Sequence, residues 1–172
     1  IATPGFAAKE PFDQWLTKLK TEAREGGISQ ATLDSAFADV KLIEKVVKLD
    51  RKQPETVQTF QEYMAQRLPQ SLVDSGKAML NQNRAILEEV GREFGVQPRF
   101  IVALWGVETR YGKYTGGFSV IDALTTLAYD NRRAEYFRKE LLLALKILDD
   151  NHIALADMKG SWAGAMGQSQ FM

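Results

Sequence analysis

The 172 residues predict a mainly α-helical domain, on three observations. Apolar side chains recur at three- and four-residue spacings along most of the chain. No interval alternates with period two over a useful length, so a sheet-dominated fold is unsupported. Proline and glycine fall where the helical patterns start or stop. Hydrophobic residues make up 45% of the sequence, enough to bury a core in one compact domain. No fixed-period repeat is present.

The first pattern opens at Pro11 and puts Phe12, Trp15, Leu16 and Leu19 on one helical face, ending near Gly26-Gly27. Ser29 can cap a second, short helix with Leu33, Ala36 and Phe37, its hydroxyl accepting from first-turn amides. The stretch 41–54, with Val46, Val47 and Leu49, reads as either a short extended piece or a third helix. A further helix is predicted over 55–67 through Val57, Phe60, Tyr63 and Met64, interrupted by Pro69. Residues 71–94 form a longer pattern with Leu72, Met79, Ile86, Leu87 and Val90, expected to bend or stop near its glycines and to break at Gly95. Pro98 suits the first turn of the next helix, where its missing amide donor is tolerated, and that helix runs through Glu108. Residues 121–127 read as a short helical or turn-rich segment. A strong helix follows over 134–150, with Phe137, Leu141, Leu145 and Leu148 as its stripe. The small residues of the run 161–172 suit close backbone packing or a groove wall.

Composition removes several functions. Lysine plus arginine equals aspartate plus glutamate at 22 each, so bulk charge gives no support for nucleic acid as a partner. With no cysteine there is no disulfide, thiolate nucleophile or cysteine metal site, and no lipidation site in this sequence. His152 is the one histidine, which removes sites needing two and weakens a serine-hydrolase reading. No metal or cofactor is expected. The longest apolar run, Leu141 to Leu145, is far short of the roughly 20 residues of a membrane span. The amino terminus lacks an initiator methionine and a signal-peptide pattern, which fits processing or an excised piece.

One carboxylate stands out. Glu108 ends an apolar helical run, directly before Thr109-Arg110-Tyr111-Gly112, and shares a face with Ile101, Leu104 and Trp105. That face is expected to point toward the core. Partial desolvation there would favour the protonated form, as a general acid near neutral pH requires. The plainer reading is a helix-terminal glutamate that reaches solvent or pairs with Arg110.

Four blocks then occur in order: Glu108-Thr109-Arg110-Tyr111-Gly112, Ala123-Leu124-Thr125-Thr126-Leu127, Arg132-Arg133-Ala134-Glu135-Tyr136-Phe137, and the run from Ser161 to Met172. Together they resemble the membrane-bound lytic murein transglycosylase B family, over roughly 12–172. The resemblance implies a lysozyme-like helical catalytic domain acting on bacterial cell-wall glycan in the periplasm, with outer-membrane association in a full-length form. Residues 1–172 would be part of that domain, with 1–70 a helical subregion packed on it and more catalytic domain following Met172. Peptidoglycan glycan strands are the implied partner, besides that remainder; an oligomeric state is not implied.

By the same resemblance Glu108 is the single catalytic acid and base, forming 1,6-anhydromuramyl ends without water. Gln170, Ser161 and Tyr136 match glycan contacts, and Tyr63 is a fourth candidate. Gln168 and Ser169 receive no direct role, and Met166, Phe171 and Met172 read as core or groove packing. Asp122, Asp130 and Glu135 are alternative second carboxylates, each more simply solvated or salt-bridged. A noncatalytic peptidoglycan-binding domain and a hydrolytic muramidase, which ordinarily needs two carboxylates, are the competing functions.

Overall fold

In the computed structural model, residues 10–52 and 59–172 are described. Helix α1 (Phe12–Glu25) starts after Pro11 and buries Leu19 and Ala23. Helix α2 (Gln30–Ala36) is capped as the sequence predicts, the Ser29 hydroxyl accepting from the Thr32 amide. The 41–54 stretch resolves into a third helix, α3 (Glu44–Arg51), with Val46 and Asp50 buried. Helix α4 (Phe60–Arg67) begins at Thr59, whose side chain caps the Glu62 amide while Glu62 reaches back to the Thr59 amide. The earlier part of that predicted helix, including Val57, lies outside the described residues.

The long 71–94 pattern is two helices, α5 (Gln70–Gln82) and α6 (Arg84–Phe94), and the break falls at Asn83 rather than at a glycine. The Asn83 side-chain amide donates to the Met79 carbonyl at 3.0 Å, beside its own backbone amide, which ends the α5 ladder there. Gly76 and Gly91 stay inside their helices because neighbours use the space a side chain would fill. Helix α6 ends on Gly95 in the left-handed conformation, and α7 (Pro98–Thr109) starts on Pro98 at its first turn.

The segment expected to be short or turn-rich is a buried helix, α8 (Val120–Tyr129), with eight residues from Val120 to Ala128 out of solvent. It is buried on nearly every side, its two threonines included, because it is the centre of the fold. Helix α9 (Ala134–Asp149) packs along it through Phe137, Leu141, Ala144 and Leu145. Leu19, Leu33 and Val46 from α1, α2 and α3 complete this core. Each large apolar side chain buried there contributes about 1.5–3 kcal/mol. A two-residue antiparallel pair, β1 (Phe118–Ser119) with β2 (Lys159–Gly160), is the only sheet among the described residues.

Ion pairs tie the amino-terminal helices to α8 and α9. Arg51 bonds Asp130 at 2.9 Å, and Arg138 bonds Glu22. Asp50, 2% exposed, has Oδ2 only 2.6 Å from Arg132 Nη1, and Arg132 also donates to the Asp50 carbonyl. Neither carboxylate oxygen of Asp50 has an aligned hydrogen-bond donor among the described residues, so the contact is a charge pair more than a directed bond. A second packed group, α5, α6 and α7, buries Leu72, Leu87 and Val102 beside the main core.

Candidate active site

Helix α7 turns its packed face away from Glu108. Its buried positions are Val102, Gly106 and Thr109, and Glu108 is exposed. Two residues beyond Gly106 is about 200° around a 3.6-residue helix, so the two lie on opposite sides. This overturns the expectation that Glu108 faces the core, and the desolvation argument loses its premise. Periodicity misled because α7 is apolar almost all round: Phe100, Leu104 and Val107 are 57%, 46% and 53% exposed. The carboxylate therefore ends an exposed apolar wall. Among the described residues it has neither a hydrogen bond nor an ion pair. Arg110, the alternative partner, instead lies 6.0 Å from the Tyr114 ring centre.

The chain after Glu108 is bent sharply. Arg110, Tyr111 and Gly112 have successive φ of 50°, 62° and 80°. Left-handed backbone costs an ordinary residue about 1–2 kcal/mol, so the surroundings must hold the turn. Tyr111 supplies much of that hold. Its hydroxyl donates to the Leu72 carbonyl at 2.9 Å, and its ring packs edge-on against Trp105, 5.5 Å between centres. It is wedged where α5 and α7 carry glycines: a Cβ on Gly106 would sit 2.5 Å from the hydroxyl, and one on Gly76 2.6 Å. Burial pushes the Tyr111 phenol pKa up. Beside this wedge a cavity of about 320 Å³, lined by apolar side chains including Leu68, Leu72, Val102 and Val107, opens between α5 and α7; Glu108 is not in its wall.

The run 161–172 folds back onto this turn. Trp105 Nε1 donates to Gln168 Oε1 at 2.6 Å, and the Thr109 hydroxyl donates to the Gln168 carbonyl at 2.9 Å. That hydroxyl in turn accepts from the Gly112 amide at 3.0 Å. Gln168, which received no role from the sequence, is thus the residue that fastens the terminal run to the helix carrying Glu108. A glutamine four residues before Met172 gives no local signal; only the tertiary contact reveals it.

Gln170 uses its amide group to donate to the Thr115 carbonyl at 3.1 Å and the Gly167 carbonyl at 2.8 Å, leaving Oε1 as its remaining acceptor. Ser161 organises the next turn, its hydroxyl oxygen accepting from Ala163 and Ala165 amides at 3.3 and 3.1 Å. Its own hydrogen remains to be donated. Gly116 runs so close to Gly160 and Ser161 that any side chain would strike their backbone. Tyr136, 40% exposed, approaches Met172 Sδ at 3.5 Å. Ser161, Gln170 and Tyr136 are therefore gathered by one folded run that also grips α7. Tyr63 is not tied to it by any such contact; it lies half-buried on α4 beneath the Arg67 guanidinium, 5.4 Å away. Phe171, expected to pack, is 72% exposed, whereas Met166 packs on the core.

The other candidate carboxylates are engaged elsewhere. Asp130 pairs with Arg51, Glu135 with Lys139 at 3.3 Å, and Asp122 accepts from the Lys41 amide at 3.3 Å. Among the described residues no group of three His, Cys, Asp or Glu is placed to hold a metal ion.

Residues 11–172 match the family described as the transglycosylase SLT domain. The chain is 31% identical over 177 residues to membrane-bound lytic murein transglycosylase B of Escherichia coli (strain K12), covering 97% of this chain and 48% of that protein. It is similar to SltB3 from Pseudomonas aeruginosa in complex with NAG-anhNAM-pentapeptide, at 42% identity and a TM-score of 0.87, over 94% of this chain and 43% of that one. SltB3 is also known in complex with NAG-NAM-pentapeptide. Soluble lytic transglycosylase SltB1 from Pseudomonas aeruginosa is 32% identical with a TM-score of 0.82, over 92% of this chain and 54% of that one. The chain spans about half the length of these relatives.

Proposed function

Because the chain belongs to the transglycosylase SLT domain family, we propose that it cleaves the β-1,4 bond between N-acetylmuramic acid and N-acetylglucosamine in peptidoglycan, leaving 1,6-anhydromuramyl ends. The observation that carries this reading is the state of Glu108: an exposed, unpaired carboxylate at the end of an apolar wall, while Asp122, Asp130 and Glu135 are occupied elsewhere. One free carboxyl among these four candidates suits a reaction whose nucleophile is part of the substrate.

Protonated Glu108 donates to the glycosidic oxygen, the bond from that oxygen to the muramic C1 breaks, and N-acetylglucosamine leaves as an alcohol. The resulting carboxylate then takes the proton of the same muramic unit's 6-hydroxyl as that oxygen bonds C1. The proton balance closes and no water enters. The 2-acetamido group stabilises the positive charge at C1 in this scheme. Holding the sugar against a rigid turn lowers the barrier by orientation. Gln170 Oε1 accepts from a sugar hydroxyl or acetamido N–H, Ser161 donates its hydroxyl hydrogen, and the Tyr136 ring offers an apolar face with a hydroxyl handle. Tyr63, on α4, is the fourth proposed contact.

The strands acted on carry peptide stems, in keeping with the ligands named for SltB3. The working compartment is the periplasm, with outer-membrane attachment in a longer form; among the described residues no helix is long and apolar enough to cross a membrane. The described helices within 1–70, α1 to α4, serve as a helical subregion of the catalytic domain.

The test is digestion of purified peptidoglycan by the chain and by Glu108→Gln. Anhydro ends that vanish in the variant support the reading. Reducing ends would indicate a muramidase, and binding without cleavage a glycan-binding module.

A further inference from the structure

Two residues beyond Glu108 the surface carries a second concavity. It is a cavity of about 200 Å³ whose wall includes Ser71, Ser75, Arg110, Tyr111, Lys113 and Tyr114. A water occupies about 30 Å³ of liquid, so the space admits a group the size of an amino-acid residue. No carboxylate lines it. Among the described residues neither Arg110 nor Lys113 forms an ion pair, whereas Arg51, Arg132 and Arg138 each meet an acid. The guanidinium of Arg110 rests near the Tyr114 ring, and its backbone is fixed by the left-handed turn. Tyr111 spends its hydroxyl hydrogen on the Leu72 carbonyl, and Ser75 spends its own on the Ser71 carbonyl at 2.9 Å. What remains open is a guanidinium, an ammonium and the Ser71 and Tyr114 hydroxyls, a set of donors suited to a carboxylate.

We propose that this cavity binds a free carboxylate of the peptide stem on the muramic unit positioned at Glu108. The inference rests on the function proposed above and assigns a second contact to the same substrate. The dimensions agree. Two residues of chain separate the Cα atoms of Glu108 and Arg110 by at most about 7.6 Å, and an extended stem advances about 3.5 Å per residue. A stem a few residues long is therefore long enough to span from a sugar at Glu108 to the turn that carries Arg110. Charge at this point gives the enzyme a way to prefer stem-bearing strands over stripped ones, a distinction the apolar wall of α7 cannot make.

The experiment measures binding of two disaccharides, NAG-NAM-pentapeptide and a peptide-free NAG-NAM whose lactyl carboxyl is capped as an amide, to the Glu108→Gln chain by calorimetry. The stem-bearing ligand should bind about tenfold tighter at low salt, with an advantage that shrinks as ionic strength screens exposed charges. Adding Arg110→Gln and Lys113→Gln should erase the advantage while leaving the affinity for the stripped disaccharide unchanged. An advantage that survives both substitutions, or none in the parent, overturns the inference and leaves the function standing. If neither disaccharide binds, the function itself fails and the inference with it. Should the double variant weaken both ligands alike, Lys113→Gln alone decides: it must lower the advantage on its own, and no change refutes the site.

Discussion

Replacing Gly106 with alanine probes the wedge that fixes the end of α7. In a helix interior this change ordinarily stabilises by about 1 kcal/mol, because glycine carries the larger backbone entropy cost. Here the new methyl would fall 2.5, 2.7 and 2.8 Å from Tyr111 Oη, Cζ and Cε1. The ring has little room to retreat. Gly76 closes its other side, the Leu72 carbonyl holds the hydroxyl, and Trp105 packs its face. Overpacking of this kind costs about 1–3 kcal/mol, and displacing the hydroxyl gives up a bond worth about 1 kcal/mol. Set against the helix gain, the net expectation is a loss of about 1–3 kcal/mol in urea unfolding. In a Tyr111→Ala background the obstacle is gone, and Gly106→Ala should become neutral or stabilising. A single variant as stable as the parent, or the same loss in both backgrounds, would refute the wedge.

Substitutions at three further positions test the rest of the frame. Gln168→Met removes the acceptor for the Trp105 indole while keeping chain length, and should lower kcat on the order of tenfold with KM nearly unchanged; Gln168→Glu, which keeps that acceptor, should restore most of it. Arg132→Met strands the buried Asp50 without its counter-ion and should cost about 3 kcal/mol by thermal or urea unfolding, the low end for such a pair because Arg132 keeps 35% of its side chain in water. The Ser29 hydroxyl beside Asp149, then the Thr32 hydroxyl and Ser29 amide that donate to it, hold its carboxyl below the usual aspartate range. A depressed folded pKa stabilises above the unfolded value, near 3.8, and that contribution fades as pH falls through the folded value. Asp149→Asn should therefore flatten the stability profile below about pH 4; an unaltered acid limb would show the carboxylate contributes nothing.

Helix existence is legible where the signals are local: the Ser29 cap, apolar spacings of three and four residues, Pro98 and Gly95. What was not legible depended on partners far along the chain. The break at Asn83 comes from one side-chain hydrogen bond, which hydrophobic spacing does not register. The burial of α8 on all sides reflects its central position, and a short apolar segment looks the same whether it is a turn or a core helix. Glu108 was found by its place before the turn, but its orientation was misread because α7 is apolar on both its packed and its open faces. Ser161, Gln170 and Tyr136 are named through the resemblance alone; the structure shows their hydrogen bonds within or against the folded terminal run, contacts that no local sequence pattern signals. Gln168 escaped notice because its work is done through Trp105 and Thr109, 63 and 59 residues away.

The account turns on one free carboxyl acting without a water nucleophile. Digesting peptidoglycan in ¹⁸O-labelled water and weighing the released muropeptides by mass spectrometry tests that directly. Intramolecular attack predicts anhydromuramyl products that carry no label, and none at all from Glu108→Gln. Labelled reducing ends, or undiminished release by the variant, would contradict it.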